Sequence, residues 1–205
     1  MPNIYQVCAT LILAILAVTA TAQSKEFASQ SDAIAAIPSG DGWVWTQDAG
    51  DLNGDGLKDV AMILTHNGLE RISLVVLAGL PGERYSVLSV SPRYCTAQKF
   101  FNLTIDKGSL FAQAVNAADS SHIGSTTLQF RFNPKINDLE LIGQEDVSES
   151  YEDGEYYRHS INNVNGAWKI YQRESGGRSK PIKSGVFKVL PLHRLNGFDC
   201  DSLER

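Results

Sequence analysis

Between Gly50 and Leu64 the chain reads GDLNGDGLKDVAMIL, and no other stretch constrains its folding as much. The first half is built of turn formers: Asp51, Asn53 and Asp55 sit two apart, Gly56 follows and Asp59 closes the run. The second half, Val60-Ala61-Met62-Ile63-Leu64, is unbroken apolar sequence of strand length. A tight polar loop thus feeds directly into a buried β-strand.

Alternate residues of a tight loop point inward, so the oxygens of Asp51, Asn53 and Asp55 can wrap one side of a cation. Hard cations such as calcium take roughly six to eight oxygen ligands from carboxylates, amides, backbone carbonyls and water. Leu57 falls where such loops offer a backbone carbonyl, and Gly56 where the sharp turn favours a residue without Cβ. Asp59 would bind directly or through a water. Three carboxylates within nine residues repel one another unless a cation lies between them. The expected ligand set is therefore Asp51, Asn53, Asp55, Leu57 and Asp59, holding a structural calcium; one loop nearly saturates the ion and leaves little room for a substrate. The alternative is a metal-free Asp/Asn/Gly turn, since these residues favour turns on their own.

An EF-hand would place a bidentate Glu three residues beyond Asp59, where this chain has Met62, so that reading fails. The pattern D-x-N-x-D-G-x-x-D followed by a strand resembles the calcium loops of FG-GAP repeats, found in integrin-type propellers and in secreted bacterial proteins. The resemblance covers about 15 residues and occurs once. Propeller blades recur at a fixed period, so it implies the local site and not a propeller. The wider chain also looks like small, single-loop secreted bacterial proteins carrying a GDLNGDGLxD segment.

The first 22 residues contain no Asp, Glu, Lys or Arg. Leu11 to Val18 forms an apolar core of signal-peptide length, and Ala20-Thr21-Ala22 is a small-x-small cleavage site. The expectation is a signal peptide over residues 1–22 and a secreted or periplasmic domain over 23–205. A membrane anchor would need about 20 apolar residues, and no later segment spans a membrane. Cys8 leaves with the leader. The remaining pair, Cys95 and Cys200, reads as one disulfide in an oxidising compartment, with two free buried thiols as the alternative. The net charge of −5 argues against nucleic acid or an anionic membrane surface as the main partner.

Downstream, apolar alternation and turn signals repeat. Ser29 or Ser31 caps a short helix ending at Pro38. Strands follow at Trp43–Trp45, Val60–Thr65, Arg71–Ala78, Tyr85–Val90, Phe101–Ile105, Leu110–Val115, Thr126–Phe132, Leu139–Gly143, Tyr156–Val164, Ala167–Gln172 and Val186–Leu190. Asp106-Lys107-Gly108-Ser109 and Asn165-Gly166 are hairpin signals. Val147 to Gly154, rich in Glu and Asp, reads as a solvated loop. Trp43 and Trp45 read as core or rim packing, with a sugar or peptide surface as the rarer alternative. With no helices between strands, the expected class is mainly β: an antiparallel meander forming one curved sheet or a sandwich, with one short N-terminal helix.

No zinc spacing appears among His66, His122, His159 and His193, and neither a nucleophile elbow nor a phosphate-binding glycine loop is present. Asp119 to His122 holds triad residue types, but adjacency is not triad geometry. Three function classes remain: a calcium-stabilised domain binding a protein or envelope glycan, a hydrolase whose site assembles in space, and an inhibitor or immunity-type protein. The leading expectation is the binding domain.

Overall fold

The apolar run after the loop becomes a buried strand of an antiparallel fold with twelve strands among the described residues. The structure, a computed structural model, describes residues 25–37, 43–66, 71–91, 99–117, 122–150, 152, 154–173 and 177–198. In chain order these form β1 (Glu26–Phe27), α1 (Gln30–Ala35), β2 (Trp43–Gly50), β3 (Asp59–His66), β4 (Arg71–Leu80) and β5 (Arg84–Val90). There follow β6 (Lys99–Asp106), β7 (Ser109–Ala117), β8 (His122–Asn133), β9 (Asp138–Ser150), β10 (Tyr156–Asn162), β11 (Ala167–Arg173) and β12 (Ser179–Val186), then a 3-10 turn at Leu195–Gly197. The mainly β, antiparallel class with one short helix is as expected. The helix is capped as its sequence predicts, Ser29 Oγ accepting from the Asp32 amide at 3.1 Å.

The strands make two sheets. One has the order β1-β5-β4-β3-β2, and the other is an unbroken meander, β12-β11-β10-β9-β8-β7-β6. The continuous apolar character of 60–64 follows from its place in the first sheet, which is covered on both faces. Ala61, Ile63 and Val76 face the second sheet and share a core with Leu103, Leu110, Leu128, Phe130 and Leu141. Val60, Met62, Leu64, Val75 and Leu77 face the other way, onto Phe27 and the α1 side chain Ala33. The sheets also meet along an edge: the Ile105 amide of β6 donates to Asp48 of β2 at 2.6 Å. Buried Ser89 of β5 donates to Asp138 of β9, also at 2.6 Å.

Several expectations are corrected. The acidic stretch from Val147 is strand as far as Ser150, because β9 pairs there with both β8 and β10, and Glu145 and Glu149 on one face meet Arg158 of β10 and Arg173 of β11. The last strand is Ser179–Val186, not Val186–Leu190. Beyond Val186 the chain leaves the sheet and crosses back to β9, where the Leu141 amide donates to the His193 carbonyl at 2.8 Å and the backbones of Glu140 and Arg194 form an isolated antiparallel bridge. Leu195 and Phe198 then enter the main core, Phe198 edge-on to Phe130 at 5.4 Å. Among the described residues there is no disulfide; Cys95 and Cys200, the expected pair, both lie outside them, and packing of Leu195 and Phe198 holds the tail. Trp43 and Trp45 are exposed rim residues, 51% and 39% open, because β2 is an edge strand bulged between Val44 and Thr46. The leader, residues 1–22, and the Asp119–Ser121 segment lie outside the described residues. No helix among the described residues is long and apolar enough to cross a membrane.

Candidate functional site

The Asp51–Asp59 loop is ordered by its own side chains. Asp51 accepts from the Gly54 and Gly56 amides at 2.7 and 3.0 Å, Asn53 from Asp55 at 3.0 Å, and Asp55 from Leu57 at 2.8 Å. The Asn53 side-chain amide donates to the other Asp55 oxygen at 3.0 Å. Gly54 and Gly56 both take φ near the left-handed region, at 81° and 82°, which only glycine adopts cheaply. Leu52 turns the opposite way, into the core between the sheets.

Asp59 does something the loop pattern does not disclose. It is fully buried, and it binds three amides on two segments: Leu52 and Asn53 at 2.8 and 3.2 Å through one oxygen, Gly79 of β4 at 2.9 Å through the other. Burial pushes its carboxyl above the usual carboxylate value; the three amide bonds oppose that rise, and the Asp55 charge adds to it. Gly79 must be glycine for this contact, because a Cβ there would lie 2.3 Å from the Lys58 carbonyl oxygen. Among the described residues, no three of His, Cys, Asp and Glu converge as a metal site. The expected metal-binding cluster is thereby corrected: the carboxylates of Asp51, Asp55 and Asp59 are directed to separate sets of backbone amides rather than to a shared centre.

A second feature, absent from the sequence reading, lies on the other wing of the molecule. Cross-strand register puts Gln144, Ile161 and Trp168 in one row and His159 and Ile170 in the next, all on the face that carries the core residue Leu128. Sheet-to-sheet packing covers that face over β6 to β9. Over β10 to β12 it is crossed instead by the segment 187–193, leaving a cleft of about 690 Å³. Leu141, Ile161, Ile170, Trp168, Phe187 and Leu190 supply its apolar wall. Its polar lining is Gln144, Asn163, His159, Lys188 and His193.

Two glycines shape this cleft. Gly185 pairs with Trp168 across β11–β12, and a Cβ on it would lie 2.7 Å from the indole ring, so the missing side chain lets Trp168 lie flat along the strand. His159 meets that ring edge-on at 6.0 Å. Gly166, in the turn that the Asn165-Gly166 pair announces, has φ 71° and brings its backbone against Phe187. There the Phe187 amide donates to the Gly166 carbonyl at 3.0 Å, fixing the start of the crossing segment. Its far end is fixed at Leu141. Of the four histidines, the structure brings His159 and His193 to one cleft, while the side chains of His66 and His122 lie outside the described residues. Alternation along β10 puts Tyr157, His159 and Ile161 on one face of the strand, but carries no sign that half of the face lacks a partner sheet.

No protein-family model matches the chain, and no curated protein and no solved structure matches it. The likeness of the Asp51–Asp59 segment to FG-GAP loops rests on those residues alone.

Proposed function

We propose that this chain is an exported ligand-binding β domain, and that its site is the cleft between the β10–β12 face and the segment 187–193. The uncharged leader-like run ending at Ala22 supports export to the periplasm or beyond. The observation that carries the binding reading is the cleft itself. Its volume of about 690 Å³ lies within the range of about 300–1,000 Å³ typical of small-molecule sites, and its lining is an apolar wall with a few polar groups. The strap is tied to the sheet at both ends, at Gly166 and at Leu141, so the pocket exists before a ligand arrives. A small ligand with an apolar body suits this enclosure better than the extended protein or glycan surface expected from sequence.

The reading is tested with decanol, an uncharged apolar probe, followed through the indole N–H resonance of Trp168. Saturable movement of that resonance, with a rise in melting temperature, is the expected result. Leu190→Trp, a change at an exposed strap residue that fills the cleft, should abolish both. If decanol and decanoate both leave the Trp168 resonance in place, the cleft is not a ligand site.

A further inference from the structure

We infer that the ligand of this cleft is a free acyl carboxylate, a molecule with an apolar tail and a single anionic head. The inference rests on the reading of the cleft as a binding site and specifies its chemistry. Among the described residues, the ionisable side chains lining the cleft are His159, Lys188 and His193, with no Asp or Glu. That selection runs against the chain as a whole, which carries 23 acidic and 18 Lys and Arg residues. Lys183 adds a further cation beside the site, in register with Ile170 on the same face. The carboxylate closest in register is Asp146, opposite His159, and its two oxygens already accept from Thr126 at 2.7 Å and Gln144 at 2.9 Å. Glu145 and Glu149 of β9 lie on the opposite face, toward Arg158 and Arg173.

The donors and the apolar wall have separate duties. Leu141, Ile161, Ile170 and Trp168 exclude water from a tail and make no polar demand on it. Lys188 sits on the exposed strap and belongs to no ion pair among the described residues, so a bound carboxylate gives it a partner without breaking an existing one. A cationic head would meet three like-charged or donating groups, and a neutral head would leave Lys188 unchanged. Charge complementarity therefore selects the anion.

Decanoate, decanol and decylamine titrated into the protein separate the possibilities. Decanoate is expected to bind about tenfold more tightly than decanol, the discrimination that one charge-assisted hydrogen bond supplies. Decylamine should bind more weakly than either. Lys188→Gln should bring the ratio of decanoate to decanol affinity close to one, and Leu190→Trp should abolish all binding. Equal affinities for decanoate and decanol, both lost in Leu190→Trp, would overturn the anionic-head inference and leave the cleft reading standing. Absence of binding by every probe would overturn both. Flotation of the protein with phosphatidylglycerol vesicles, unaffected by Leu190→Trp, would mean that a membrane surface and not a free carboxylate is the source of the anion.

Discussion

Asp59 holds the densest set of polar contacts in the loop region, and its substitution should be disproportionately costly. Asp59→Ala leaves the buried amides of Leu52 and Gly79 without acceptors, and each such loss costs about 1–3 kcal/mol. A total of about 3 kcal/mol is expected, read from urea unfolding at neutral pH. The same residue gives a signed pH dependence. Its folded pKa is raised above 3.8 by burial, so the native state keeps the proton to higher pH than the unfolded chain does. Its contribution to stability is therefore complete below 3.8 and is lost as pH rises through the folded value. Relative to Asp59→Asn, the wild type should lose stability as pH increases from about 4 and level off once Asp59 ionises; a wild type that gains stability over the variant as pH rises would contradict this. The presence of an acid here was plain in the sequence. Its role was not, because ligand spacing says nothing of a Gly79 amide twenty residues away, and that amide decides which way the carboxylate points.

At the scale of elements, the segment after β12 shows where periodicity misleads. Phe187, Val189 and Leu190 have the composition of a strand, yet 39%, 46% and 54% of each is exposed. Apolar composition is met equally by a strand that finds a partner and by a strap that lines a cleft, and only the pairing of β12 with β11 distinguishes them. The strap depends on its anchors. Leu195→Ala or Phe198→Ala should cost about 2–5 kcal/mol, the range for emptying a core site, and should expose residues 187–194 to limited proteolysis. Resistance of that segment in a destabilised variant would show that the strap is held by something other than the tail. By contrast, β3, β4 and the β6–β7 hairpin were legible because local chemistry and tertiary demand agree there. Lys107 and Gly108 both take positive φ, as the two-residue turn requires.

For the whole molecule, the self-bonded loop leads to an expectation about metal. A ligand held at a hundredfold excess over its Kd adds about 2.7 kcal/mol to stability, a shift of several degrees for a domain of this size. Since the loop's acceptors are engaged by backbone amides, EDTA is expected to leave the melting temperature unchanged. A fall on chelation, restored by calcium, would show that these oxygens regroup around an ion. The sequence by itself determined the antiparallel β class, the helix cap and the glycine turns, because each depends on residues close together in the chain. Tertiary structure alone decided the destination of Asp59, the division of twelve strands into two sheets, and the uncovered face of the longer sheet. These depend on which distant segments meet, and a seven-strand sheet lying against a five-strand one must leave some of its apolar side for another partner.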